Sequence, residues 1–407
     1  MSKTCALVTG GADGIGWSIC QTLVAQGYLC AVADIDGEKA QARAATLGPG
    51  NVALTVDLSD VEAARALPDR ARRALGDLHL VVNNAGITDN AGRTIPDMDE
   101  RKFNEIVTVN LDSVAAICRA GAEVMGPAGR IVNLASGASF RPLPLRGPYS
   151  ATKAGIVELT RALAREWRGA PFVSAVAPGY IRTPLVEDLI ANGRIDPEAV
   201  AKGIPRGRLG QSQDIANAVA FLAGPAGAVM NGQCLSVDGG VLAAAGAGYG
   251  HRDGQPTTDE PVLVIGEGGL ATALASALPG ARRVDMSAVR FTSDAPLIVV
   301  IDVDAPAWAS PLEHLRKLEG ARVAGGSTAP VLFVCEEQAE ARAEQRALNQ
   351  AIGMFARTRA LEEAERGTRI NALIVPQGDT SAVPLAAFLV SEAADYVQAQ
   401  SINVVAN

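Results

Sequence analysis

Tyr149 and Lys153 stand four residues apart in the stretch YSATKAGIVELTRALARE (149–166), whose apolar positions recur at helical spacing. A four-residue step puts both side chains on one helix face. A free phenol titrates near ~10, and bringing it close to neutrality takes ~4 kcal/mol of differential stabilisation, much of which a fixed ammonium can supply. Ser136 ends the apolar run GRIVNLAS thirteen residues before Tyr149, where a hydroxyl can hydrogen-bond an oxygen whose charge changes during reaction. A phenol, an ammonium and a hydroxyl in this order suit proton exchange with a hydroxyl or carbonyl group.

A second constellation lies at the start of the chain. TGGADGIG (Thr9–Gly16) follows a short apolar run and opens a helix-like segment. Gly10, Asp13, Gly14, Ile15 and Gly16 would let backbone amides approach a pyrophosphate at the positive end of that helix; the alternative is a tight turn that only packs helix on sheet. The next apolar run, LCAVAD, ends in Asp34, from which a carboxylate can accept hydrogen bonds from ribose hydroxyls and repel a 2′-phosphate. Asp13, where a Lys or Arg could have gripped that phosphate, points the same way, so NAD is expected rather than NADP. Asp34 could also be a plain surface-turn carboxylate. A bound nicotinamide would add its positive ring to Lys153 in acidifying Tyr149.

These residues need a scaffold. Continuous apolar runs at 5–9, 29–34, 51–57, 78–84, 129–136, 172–178 and 234–240 alternate with helical segments. Such runs indicate parallel strands covered on both faces, a Rossmann-type doubly wound α/β sheet. From Pro261 the pattern restarts: PVLVIGEGGLATALASAL repeats strand, glycine turn and helix, and FLVSEAADYVQAQSINVVAN (388–407) aligns without a gap on FLAGPAGAVMNGQCLSVDGG (221–240). The expected organisation is a nucleotide-binding domain at 1–242, a small and polar linker at 243–260, and a second, shortened Rossmann-like repeat at 261–407.

Composition narrows the classes. The 407 residues carry 36 basic and 44 acidic side chains, a net charge of −8, and only 4% aromatic residues, which speaks against a nucleic-acid partner. Six cysteines in apolar stretches and three scattered histidines give no metal-ligand spacing, so no metal is expected. The longest apolar runs fall far short of the ~18 residues of a membrane span, and the chain enters a strand almost at once without a signal-peptide pattern. A soluble, cytoplasmic protein is expected.

TGGADGIG, NNAG (83–86), Ser136, Tyr149-x-x-x-Lys153 and Pro178-Gly179, in that order and spacing, resemble the short-chain dehydrogenase/reductase family over nearly all of residues 1–242. The resemblance implies catalytic Ser136, Tyr149 and Lys153, with Lys153 also holding the nicotinamide ribose and Asn110 completing a water-linked proton relay. It further implies that Asp57 and Leu58 meet adenine, Asn84 the ribose region, and Ile181 and Thr183 the nicotinamide carboxamide. Two residues keep a structural alternative: Asn84 as a tie between neighbouring strands, and Thr183 as a helix cap.

The repeat departs from this pattern. GEGGLA is two residues shorter and lacks the last glycine, Ala347 and Ala351 align with Tyr149 and Lys153, and Glu336 aligns with Ser136. Residues 261–407 are therefore expected to be catalytically silent. Since family members form dimers and tetramers, the chain is expected to be a homo-oligomer, with a dimer imitating a tetramer. Arg141 and Arg146 could bind an anionic substrate group or serve as loop and interface arginines. Tyr180 could pack on substrate or on the covering segment 185–204, whose polar mixture suits a small alcohol. The expected function is NAD-dependent interconversion of a secondary alcohol (sugar, polyol or hydroxy acid) and its ketone. The alternatives are reduction of a 3-oxoacyl-type ketone and a non-catalytic dinucleotide sensor or scaffold.

Overall fold

A computed structural model describes residues 3–89, 91, 93–244, 260–266, 268–284, 295–301, 309–338, 341 and 343–404. Most of the expected linker, 245–259, lies outside the described residues. The chain forms two compact units: Met1–Ile195 with Gly210–Val237, and Asp196–Leu209 with Asp238–Asn407.

In the first unit the apolar runs are strands. In chain order they and their helices are β1 (Cys5–Thr9), α1 (Gly14–Ala25), β2 (Leu29–Asp34), α2 (Gly37–Thr46), β3 (Val52–Thr55), α3 (Val61–Leu75), β4 (Leu80–Asn83), α4 (Glu100–Val107), α5 (Ser113–Met125), β5 (Arg130–Leu134), α6 (Gly147–Glu166), β6 (Phe172–Pro178), β7 (Ile181–Arg182) and α7 (Pro184–Ala191). The short helix α8 (Pro197–Lys202) falls in the second unit, and β8 (Gly210–Gln211), α9 (Ser212–Ala223) and β9 (Cys234–Val237) complete the first. Seven strands pair in parallel in the order β3-β2-β1-β4-β5-β6-β9, and β7 pairs separately with β8. The direction of winding reverses between β1 and β4, which opens a crevice beyond the strands' carboxyl ends, where α/β sheets take ligands.

Local chemistry sets the element ends. Asp13, Asp36 and Asp60 each accept amide hydrogen bonds at the first turn of α1, α2 and α3, occupying donors that a helix start leaves unpaired. α3 stops at Gly76, whose φ of +88° is a left-handed cap. Every residue of β1 and β4 is buried, as strands covered on both faces require. Between β4 and β5, Asn83 donates to Asn133 at 2.9 Å, and Asn133 donates to Thr160 of α6 at 3.0 Å. This buried polar chain ties the helix carrying Tyr149 to the sheet, and no periodicity in the sequence announced it.

The second unit has its own parallel sheet. It comprises β10 (Leu263–Ile265), α10 (Gly268–Ala277), β11 (Arg282–Val284), β12 (Leu297–Ile301), α11 (Ala309–Ala324), β13 (Val331–Glu337), α12 (Ala343–Glu362), β14 (Ile370–Pro376), α13 (Val383–Val390) and β15 (Ser401–Asn403). The strand order is β11-β10-β12-β13-β14-β15, that of the first sheet without its outermost β3. Arg322, 1% exposed, donates to Glu319 at 2.9 Å and to Glu363 at 3.0 Å, joining α11 to the end of α12 through a buried ion pair.

Candidate active site

The glycine turn between β1 and α1 is built for close backbone approach. Gly10 and Gly14 have φ of +60° and +50°, and a Cβ on Gly16 would sit 2.0 Å from the Gly10 carbonyl oxygen, so no side chain fits there. Asp13 accepts the Gly14 amide at 2.8 Å and is also paired with the Lys39 ammonium. Burial works against the Asp13 carboxylate, but Lys39, the Gly14 amide and Arg43 outweigh it and hold its pKa below the ordinary value.

A cavity of about 390 Å³ opens beside this turn, lined among others by Gly10, Asp13, Ile15, Asp34, Asp57, Leu58, Asn84 and Thr183. Eight positions singled out in the sequence for one nucleotide thus converge on one space. Asp34 accepts amides of Ala12 at 3.1 Å and Asp36 at 3.2 Å, which fixes its carboxylate at the cavity wall. Asn84 donates to the Thr9 and Gly10 carbonyls at 2.9 and 3.1 Å, so it ties β1 to the loop after β4 while also lining the cavity. Thr183 accepts the Val186 amide at 3.4 Å as the cap of α7 and faces the same space. Ile181 is buried in the β7–β8 ladder. Gly86, the last residue of NNAG, also lines the cavity, as do Val56, Glu105 and Val109, which no motif marked.

The proton-handling groups meet near the carboxyl end of β5. Ser136 follows that strand and is hydrogen-bonded to the Tyr149 phenol, which lies in the first turn of α6. Desolvation pushes the phenol above its ordinary pKa, while Ser136 and the Arg146 guanidinium pull the other way. Lys153, one turn on, is 5% exposed; its ammonium lies 5.8 Å from the centre of the Tyr149 ring and donates to the Leu134 carbonyl at 2.7 Å. Burial lowers its pKa to about 8. Ser139 donates to the Lys153 carbonyl at 2.7 Å and so holds the helix against the Ser136 turn.

Asn110 sits in a π-helical turn, Thr108–Asp112, the wider winding that helices use to turn a side chain into a functional site. Its amide oxygen accepts the Ile87 N–H and its amide nitrogen donates to the Ile87 carbonyl, both at 2.8 Å. A Cβ on Gly86 would lie 3.3 Å from both the Asn110 oxygen and the Lys153 nitrogen, so a glycine there lets the two polar groups approach. Arg146 donates to Thr88 at 3.2 Å and to the Asp89 carbonyl, whereas Arg141 is exposed and Tyr180 is half exposed. Among the described residues no group of His, Cys, Asp and Glu could hold a metal ion, and no helix is long and apolar enough to cross a membrane.

A doubly wound sheet with a nucleotide-sized cavity at its switch point, beside a Ser-Tyr-Lys-Asn cluster, defines a dinucleotide-linked oxidoreductase. Residues 10–242 match the family model described as enoyl-(acyl carrier protein) reductase, and the chain belongs to the short-chain dehydrogenase/reductase family. It is 32% identical over 314 residues to an uncharacterised short-chain type dehydrogenase/reductase of Sinorhizobium fredii. That match covers 73% of this chain, and the chain spans about half, 54%, of the relative's length. A 3-oxoacyl-[acyl-carrier-protein] reductase of Chlamydia trachomatis is 36% identical over 248 residues, 59% of this chain and 98% of its own. A solved putative 2-deoxy-D-gluconate 3-dehydrogenase of Agrobacterium tumefaciens with bound NADP is 35% identical, with a TM-score of 0.53, over 59% of this chain and 96% of that one. The protein is thus an oxidoreductase of this family, whose members use a nicotinamide dinucleotide.

Proposed function

We propose that the protein is an NAD-dependent dehydrogenase that interconverts a secondary alcohol of the sugar, polyol or hydroxy-acid type and its ketone. The observation that carries this reading is Asp34, an acceptor-only group held at the wall of the cofactor cavity by two backbone amides. Such a group suits ribose hydroxyls and opposes a 2′-phosphate. The second reading, NADP-linked reduction of a 3-oxoacyl-type ketone, draws on the Chlamydia relative's name and on the NADP bound to the Agrobacterium protein. Two cations near the turn are already engaged, Lys39 with Asp13, and Arg43 with the Ala12 carbonyl and the Trp17 ring. That leaves NAD the better match.

The residues fit the cofactor: the side-chain-free turn at Gly10, Gly14 and Gly16 would take the pyrophosphate, Asp34 the adenosine ribose, Asp57 and Leu58 the adenine, and Thr183 the carboxamide end. When bound, the nicotinamide supplies the hydride acceptor or donor and, in its oxidised form, a positive charge. Ser136 hydrogen-bonds the substrate oxygen, and Tyr149 takes its proton during oxidation or returns one during reduction. Desolvation keeps the phenol protonated in the free protein, the form that protonates a ketone. Its ionisation for alcohol oxidation draws on Ser136, Arg146, the Lys153 ammonium and the added ring charge. Asn110, clamped by Ile87, holds the inner end of a proton path past Lys153.

The second unit is, in this reading, a reduced and catalytically silent copy. It keeps the strand order, while Glu336 accepts the Gly378 amide at 2.8 Å where the first unit has Ser136. The turn at Gly266 is pressed onto β12, since a Cβ there would lie 2.6 Å from the Val300 oxygen. NADH formation across a panel of secondary alcohols, half anionic hydroxy acids and half neutral sugars and polyols, tests the function. Turnover with NAD on one half is expected; activity only with NADPH and 3-oxoacyl thioesters would replace this reading by the second. Loss of kcat/KM for the anionic half in Arg141→Ala or Arg146→Ala would make those arginines substrate ligands.

A further inference from the structure

Asn110 and Tyr149 stand on different elements of the first unit, and one arginine reaches from the second to the loop that clamps the first. Ile87 holds Asn110 through two hydrogen bonds of 2.8 Å. Thr88 and Asp89 follow it directly, and Arg146, at the start of α6, donates to the Thr88 hydroxyl at 3.2 Å and to the Asp89 carbonyl. Tyr149 lies three residues further along the same turn. The circuit closes on the other side, where Asn110 donates to the Thr152 hydroxyl at 3.3 Å and that hydroxyl donates to the Tyr149 carbonyl at 3.0 Å. Ile95 seats the far end of the loop on α6, since a Cβ on Gly147 would overlap its side chain.

A second pair shapes the loop. The Asp89 carboxylate accepts the Arg93 guanidinium at 3.2 and 3.4 Å and the Ala91 amide at 3.1 Å, and these bonds hold it below its ordinary pKa. Arg146 thus meets the carbonyl of this buried residue while the carboxylate serves Arg93. Among the described residues, the charged groups set about the Tyr149 phenol are Lys153 one turn on, Arg146 one turn back and, behind Arg146, the Asp89–Arg93 pair; Arg141 is exposed on the intervening loop. Lys153 gives a hydrogen bond to the Leu134 carbonyl at 2.7 Å. Desolvation raises the phenol above its ordinary pKa, and Ser136 and the Arg146 guanidinium oppose it.

We propose that Arg146 is a positioning residue for the proton path: it pins the Ile87–Asp89 stretch, which clamps Asn110, to the helix turn that carries Tyr149, and it stands as a second cation beside the phenol. The pin is independent of the dehydrogenase reading, and the role of the second cation rests on it. A guanidinium so engaged belongs to the framework of the site, so its loss weakens turnover of anionic and neutral alcohols alike. Removing a positive charge raises the pKa of a neighbouring acid, so alcohol oxidation, which needs the phenolate, begins at higher pH without it.

The test uses the full-length chain with Arg146→Gln, Arg146→Lys and Thr88→Val. Hydrogen exchange over residues 86–91, which hold the bonded Ile87 and Ala91 amides, reads the pin without any substrate. The pH profile of kcat/KM for an alcohol at saturating NAD reads the charge. Arg146→Gln is expected to speed exchange over 86–91 about tenfold while the core strands keep their protection. It is also expected to move the acid limb of the profile up by about one pH unit, so that kcat/KM falls about tenfold below the limb and recovers on the plateau. Arg146→Lys should restore the limb, and Thr88→Val should speed the exchange with the limb in place. Unchanged exchange, exchange accelerated throughout the chain, a loss of kcat/KM equal at every pH, or a loss confined to anionic alcohols would each overturn the proposal. If no alcohol in the panel is oxidised, the dehydrogenase reading fails and the exchange alone decides the pin.

Discussion

Replacing Lys153 by methionine keeps most of the bulk of a buried side chain and removes its charge. In the nucleotide-free protein burial lowers the Lys153 pKa to about 8, against an ordinary 10.5. Below pH 8 both folded and unfolded chains carry the ammonium, and the folded one bears its full desolvation cost. As the pH rises from 8 towards 10.5 the folded protein gives up that proton while the unfolded chain keeps it, so wild-type stability rises through this window. The linkage amounts to about 2 kcal/mol between pH 7 and pH 9.5, and the methionine variant lacks it.

Urea unfolding of both proteins at the two pH values measures it. The variant leaves the Leu134 carbonyl without its donor, a loss that shifts its curve equally at both pH values. The expected outcome is a stability difference that moves by about 2 kcal/mol in favour of the wild type on going to pH 9.5. A difference that stays constant would refute the reasoning, because it would mean that Lys153 keeps its ammonium as readily in the fold as in water.

Tyr149→Phe is expected to lower kcat by about 10²–10⁴-fold with NAD affinity, read by NADH fluorescence, nearly unchanged. Asp34→Ser removes the carboxylate from the cavity wall; NAD is expected to bind about tenfold more weakly and NADP more tightly than to the wild type, both measured by titration. If the second unit occupies a surface that would otherwise join two chains, sedimentation of the full-length protein is expected to show a dimer, and a stable tetramer of full-length chains would count against it.

The sheet was legible because a strand buried on both faces must be a continuous apolar run, and β1, β2 and β6 begin and end within a residue of their runs. The reacting groups were legible for a related reason: Ser136, Tyr149 and Lys153 lie close in sequence around one strand end and one helix turn, so their spacing already encodes their meeting. Contacts over long separations leave no such trace. Nothing local in Asp196–Leu209 shows that it groups with residues near 395, because a pair such as Arg206 and Asp395 has no period and is 189 residues apart.

The same limit bears on the cofactor argument. From sequence, Asp13 and Asp34 look like two charges against a 2′-phosphate. In the fold the Lys39 ammonium, 26 residues on, neutralises Asp13, which also spends its other oxygen capping α1. A neutralised, helix-capping carboxylate repels little, so the case for NAD narrows to Asp34 and the two amides that aim it. That makes Asp34→Ser the sharper of the two possible substitutions: if the cofactor preference survives it, repulsion by these carboxylates was never its source.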